Sequence, residues 1–131
     1  MTIRPILIIA SLTALAWTTG AAAETTPQSK STAAIEYLLA SVAGSELQFV
    51  RNGTTHSGPE AVKHMRRKYE HFADRIHSPE EFIELAATKS ILSGKAYTVR
   101  SKDREIPTAE WLLTLLAEYR DTRNGIDLGS T

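Results

Sequence analysis

The sequence predicts an α+β domain: a small antiparallel sheet, made of a hairpin plus one further strand, packed against about four helices in a single compact domain. Three observations predict it. Four segments carry apolar residues at helical spacing, beginning near Thr32, Ser57, Ser78 and Ile106. Two short segments flank Asn52-Gly53, the dipeptide best suited to a type I′ hairpin turn. Ala96 to Arg100 alternates, with Tyr97 and Val99 on one face. The order α, β, β, α, α, β, α has too few strands for a doubly wound sheet, so helices covering one face of a small antiparallel sheet is the expected solution.

Met1 to Ala23 reads as a signal peptide. Arg4 supplies a cation, Pro5 to Trp17 is apolar apart from Ser11 and Thr13, and Ala21-Ala22-Ala23 offers the small residues that precede cleavage. The apolar core falls short of the ~20 residues a bilayer-spanning helix needs. Cleavage after Ala23 and a periplasmic location are therefore expected, with no membrane span left. Glu24 to Ser31 is polar, contains Pro27, and reads as part of a flexible lead-in over residues 24–32. The domain is expected over 33–123, followed by a disordered tail over 124–131.

Within the domain, Ile35, Leu38, Leu39 and Val42 form the stripe of a first helix that Gly44-Ser45 ends. Leu47 to Arg51 is a strand, and a two-residue Asn52-Gly53 loop pairs Arg51 with Thr54, Val50 with Thr55 and Phe49 with His56. That register puts Arg51 and His56 on the core side with Phe49. Ser57, Pro59 and Glu60 have the spacing of a capping box with an early proline. The helix they open is expected to run to about Ile76, with Val62, Met65, Tyr69, Phe72 and Ile76 as its stripe. Ser78-Pro79-Glu80-Glu81 repeats that grammar for a third helix carrying Phe82, Ile83, Leu85 and Ala86, ending near Ser90 to Gly94. Ser101 to Glu105 reads as a charged loop. Ile106-Pro107-Thr108 opens a last helix with Trp111, Leu112, Leu115, Leu116 and Tyr119 on one stripe, stopped by Asn124-Gly125.

Composition narrows the function. Removing Arg4 from 15 Lys and Arg against 15 Asp and Glu leaves a net charge of −1. Such balance gives no reason to expect nucleic acid as a partner. No cysteine is present, which excludes disulfides, thiol catalysis and thiolate metal sites. The chain has no Gly-x-Ser-x-Gly, no Gly-rich phosphate loop and no His-Glu-x-x-His. Glu80, Glu81 and Glu84 lie in the first turns of a helix, where caps and dipole partners account for them. No cofactor is expected.

The polar residues of interest cluster between positions 51 and 77. His56, His64, His71 and His77 do not have metal-site spacing: His64 and His71 are two helical turns apart, ~10 Å of rise, so no metal ligands are assigned. Arg66 and Lys68 sit at opposite margins of the apolar stripe, where long stems cover the core and heads reach its rim. They could anchor a carboxylate or phosphate there. Packing of hairpin against helix explains the same residues structurally.

Phe49-Val50-Arg51-Asn52-Gly53, His56, Ala61-Val62-x-His64-x-Arg66-x-Lys68, Glu81-Phe82-Ile83 and Ser93-Gly94-Lys95-x-Tyr97-x-Val99 resemble the YfeK-like exported proteins of Gram-negative bacteria. The resemblance spans about residues 33 to 100. It implies an exported one-domain protein and says nothing of mechanism. Its recurrent elements map to Arg51, Asn52, Gly53, His64, Arg66 and Lys68. The candidate binding residues are thus Arg51, Asn52, His56, His64, Arg66 and Lys68, and no catalytic residue is assigned. The expected function is a non-enzymatic periplasmic module that binds a protein partner or a small anionic ligand. The alternatives are a small hydrolase-type enzyme using His56 or His64 as base, or a weak metal-binding protein.

Overall fold

Thr26 is a helix cap: its Oγ1 accepts a hydrogen bond from the Ser29 amide, and Pro27 takes the first helical position. The structure, a computed structural model, describes residues 26–129. The leader over Met1 to Ala23 and its cleavage point lie outside the described residues. Helix α1 is Pro27–Gly44, β1 Gln48–Arg51, β2 Thr54–His56, α2 Gly58–His71, α3 Pro79–Ala86, β3 Thr98–Arg100, β4 Glu105–Pro107 and α4 Thr108–Leu128, with a 3-10 turn over Ala73–Arg75. The α+β class is as expected. The four strands form one antiparallel sheet in the order β2-β1-β3-β4.

The hairpin register matches the one read from the turn: Phe49 opposite His56, Val50 opposite Thr55, Arg51 opposite Thr54. Asn52 and Gly53 have φ of 51° and 78°, the positive pair of a type I′ turn. Phe49 also faces Val99 on β3, and Val99 faces Ile106 on β4. Pleat alternation puts Arg51, His56 and Tyr97 on that same face. The opposite face is polar at its β3–β4 edge, where Glu105 accepts hydrogen bonds from Thr98 and Arg100. The core lies between the inner face and the helices. Ile35, Leu38, Leu39 and Val42 of α1 meet Phe82 of α3 and Leu112 and Leu116 of α4 there, all nearly inaccessible. Trp111 meets Phe49 edge-on, and Tyr119 stacks on Tyr37.

Several boundaries differ from expectation. Helix α1 begins at Pro27, inside the segment read as lead-in, because Thr26-Pro27 is the same cap-and-proline signal that opens α2 and α3. Helix α2 ends at His71, and the 3-10 turn carries the chain to a buried Ile76. A 3-10 turn keeps nearly the helical phase, so the apolar stripe continues after the α-helix has stopped. The core-most residues of α2 are Ala61, Met65 and Lys68, with Val62, Tyr69 and Phe72 only partly buried. Helix α3 stops at Ala86, and Ser90 to Lys95 closes a tight loop in which Gly94 has φ of 67°.

Strand β4 is an addition to the three expected strands. Pro107 hides it, because proline cannot donate to a ladder; at the sheet edge that loss is harmless. Pro107 then serves as the N-cap of α4. That helix runs through Asn124-Gly125 to Leu128, through most of the expected tail, since Gly125 does not adopt the left-handed conformation that would end it.

Candidate functional site

The hairpin, α2 and the start of α4 enclose a cleft of about 230 Å³. Strand β1 aims Arg51 inward through the pleat. Helix α2 adds His64 one turn after Ala61, and Tyr97, just before β3, enters two places before Val99. Phe49, Ala61 and Met65, all buried, form apolar walls, and Thr108 at the first position of α4 also lines the cleft. Lys63, Arg67, His56 and Glu60 stand around its more exposed part.

A continuous hydrogen-bond chain runs from its lining residues Arg51, His64 and Tyr97 to Lys68 behind them. Arg51 Nη1 lies 3.2 Å from His64 Nδ1, His64 Nε2 lies 3.1 Å from the Tyr97 hydroxyl, and Lys68 Nζ lies 3.3 Å from that hydroxyl and 2.8 Å from the Lys89 carbonyl oxygen. Chemistry assigns the protons. A guanidinium only donates, so His64 Nδ1 accepts and the imidazole hydrogen sits on Nε2. That hydrogen goes to the Tyr97 oxygen, which also accepts from Lys68. The phenol's own hydrogen has no acceptor among the described residues and is left for whatever enters the cleft.

The charge on this chain is unbalanced. Among the described residues the ion pairs are His56–Glu60, Arg66–Glu36, Arg100–Glu105 and Arg120–Glu80, so neither Arg51 nor Lys68 has a carboxylate partner. Lys68 is only 7% exposed. Burial, then the charge on Arg51, lowers the Lys68 amine from its ordinary value. Burial raises the Tyr97 phenol against the opposing pull of Arg51. The His64 imidazole falls from 6.5 to about 4, chiefly through burial and then through the positive charges of Arg51, Lys68, Arg67 and His56. Among the described residues two buried polar side-chain atoms also lack partners, Arg51 Nε and Thr108 Oγ1, and both belong to residues lining the cleft.

The low His64 value has a pH consequence. The folded imidazole takes its proton near 4 and the unfolded one near 6.5. Between those values the unfolded chain binds more protons, so the His64 contribution to stability is full above about 6.5 and declines as pH falls toward 4. The expected result is a fall in urea midpoint between pH 7 and pH 4.5 that is larger in the parent than in His64→Gln. The depressed carboxyls of Glu36, Glu80 and Glu105 act in the same direction but are common to both proteins. Equal falls would mean that His64 is not held neutral by its surroundings.

The structure sorts the six expected binding residues. Arg51, His64 and Lys68 join one network, and His56 lines the same cleft with Nδ1 3.6 Å from Glu60. Asn52 does not join them. Its side chain bonds Ser93 and Ser90, tying the Ser90–Lys95 loop to the hairpin turn. Arg66 also departs, reaching Glu36 of α1 through two bonds of 2.8 and 3.0 Å at an exposed surface. It therefore does not share the site with Lys68. No group of three His, Cys, Asp or Glu suited to a metal ion occurs among the described residues.

Tyr97 and Thr108 were not singled out as site residues in the sequence. Tyr97 had a usable signal, since a tyrosine on the core face of a strand must find a partner for its hydroxyl. Thr108 had none, because nothing local tells that the first residue of α4 abuts a hairpin so far away in sequence.

Over 52 residues the chain is 44% identical to the uncharacterized protein YfeK of Salmonella typhimurium, a stretch covering 40% of this chain and 43% of that protein. The match thus spans less than half of the relative's length. No solved structure matches the chain. Residues 29–120, from the first turn of α1 into α4, match DUF5329, described as a family of unknown function. That interval takes in every residue of the cleft and most of the described chain, and the protein belongs to the DUF5329 family.

Proposed function

We propose that this chain is an exported, non-enzymatic module that binds a small anionic ligand in the cleft between the hairpin and α2. One observation carries the reading: Arg51 and Lys68 are joined through neutral His64 and Tyr97 with no carboxylate partner among the described residues. Uncompensated cations inside a protein are destabilising, and Arg51, which lines the cleft, is relieved when an anion enters. The concavity and its few convergent donors suit a small molecule better than a flat protein surface. A hydrolytic role for His64 finds no support in the geometry, since its accepting nitrogen is occupied by Arg51 and its other nitrogen is directed to Tyr97. His56 sits beside Glu60, with no nucleophile bonded to it among the described residues.

Export rests on the apolar leader and Ala21-Ala22-Ala23. Among the described residues no helix is long and apolar enough to cross a membrane. The product recovered from a periplasmic extract is expected to begin at Glu24; intact Met1 in the membrane fraction would contradict export. Titration of that product with acetate, butyrate, sulfate and inorganic phosphate is expected to shift the amide resonances of Arg51, His64 and Tyr97 for at least one anion. Arg51→Gln is expected to weaken that binding by about tenfold or more. If none of the anions perturbs the cleft, the anion-binding reading fails.

A further inference from the structure

We infer that the anion is a carboxylate carried on a short apolar body, held by Arg51, Tyr97 and Thr108. This rests on the anion-binding reading above and names the ligand class of the same site.

Three features of the cleft select that class. The first is the free Nε of Arg51. Its Nη1 is engaged with His64 Nδ1, while Nε has no partner among the described residues. The guanidinium also stands within hydrogen-bonding reach of the Tyr97 side chain. Nε and the Tyr97 hydrogen together offer two donors to the two oxygens of a carboxylate.

The second feature is the set of hydroxyls. Tyr97 accepts from His64 and Lys68, so it can only donate its remaining hydrogen. Thr108 is 1% exposed, its amide bonds the Tyr97 carbonyl oxygen, and its Oγ1 has no partner. All the groups left over on Arg51, Tyr97 and Thr108 can donate, and among the described residues no carboxylate is bonded to them; Glu60, which also lines the cleft, faces His56 instead. The site favours a fully deprotonated oxyanion over a neutral acid.

The third feature is the wall. Phe49, Ala61 and Met65 line the same cleft and are all less than 10% exposed, at 5%, 8% and 4%. A phosphate or sulfate has oxygen on every side and would set charged atoms against these side chains. A carboxylate has one polar end and one apolar end, and the cleft offers the matching pair of surfaces. Arg51 Nε and Thr108 Oγ1 are sealed from solvent. A ligand that satisfies them must part the side chains that seal them, and a flat carboxylate needs less room for that than a tetrahedral ion.

Calorimetric titration of the full mature chain with acetate, butyrate and inorganic phosphate, on the parent and on Thr108→Val, tests this. Butyrate is expected to bind more tightly than acetate, and acetate at least as tightly as phosphate. Thr108→Val preserves shape and removes a hydroxyl that has no partner among the described residues. It is expected to keep or raise the urea midpoint while weakening butyrate by about tenfold. Should that variant not fold, Thr108→Ala carries the same comparison, with Thr108→Ser retaining the hydroxyl and the affinity. Phosphate binding more tightly than butyrate, or a Thr108→Val affinity equal to the parent's, overturns the carboxylate assignment and leaves the anion-binding reading standing. Absence of binding by all three ions overturns both.

Discussion

Replacing Tyr97 by alanine is expected to destabilise the fold by about 4 kcal/mol, within the range for truncating a large buried aromatic. The ring is 6% exposed and stands between α2 and the sheet. Its loss leaves a cavity beside His64, whose ring it meets edge-on with centroids 5.9 Å apart. It also removes the oxygen that accepts from both His64 Nε2 and Lys68 Nζ. Tyr97→Phe separates the two contributions. It keeps the volume and deletes only the acceptor, leaving the imidazole hydrogen without a partner, at about 1–3 kcal/mol. Urea unfolding of the two variants checks both values. A phenylalanine variant as stable as the parent would show that the hydroxyl serves binding alone and that water satisfies its neighbours.

Gly58→Ala is expected to destabilise by about 3 kcal/mol through steric overlap. A Cβ at this position would overlap the Val42 carbonyl oxygen, with the Ala43 and Ser45 carbonyl oxygens at 3.1 and 3.3 Å. These are backbone atoms at the end of α1, so no side-chain rotation relieves the contact. The first turn of α2 must move away from α1, and that movement opens the contact between the two helices. The test is the urea midpoint, with the slope of the transition showing whether the native state has loosened. A loss below about 1 kcal/mol would mean that the end of α1 shifts freely and that the close approach is not required. Gly58 does not have positive φ, so no backbone preference marks it. In the sequence it stands inside Ser57-Gly58-Pro59-Glu60 and passes for part of the cap.

The two substitutions act on one arrangement. Close approach of α1 and α2 seats α2, and α2 then presents His64 and Lys68 to the sheet. Lys68 lies seven residues after Ala61 on the same helical face as Met65. Its stem therefore continues an apolar stripe, and its amine emerges where Tyr97 and the Lys89 carbonyl can receive it. Arg66, two positions earlier, points nearly the opposite way and finds Glu36. As an exposed pair it contributes little to stability.

The hairpin register, the type I′ turn, the capping box of Ser57 and Glu60 and the cap at Ser78 were legible in the sequence because each is decided by residues within a few positions of one another. The inward direction of Arg51 and His56 followed from the same register. Thr26-Pro27 was legible by the same rule, and its polar surroundings obscured it. What only the tertiary structure decided was partnership. Lys68 finding Tyr97, Arg66 finding Glu36, Asn52 finding Ser93 and Pro107 joining a strand all depend on surfaces brought together across tens of residues or on the edge of a sheet. A charged side chain carries no local mark of its future neighbour. Its environment is set by packing, and packing sends the cation at 68 into a network without a carboxylate and the cation at 66 to a solvated ion pair.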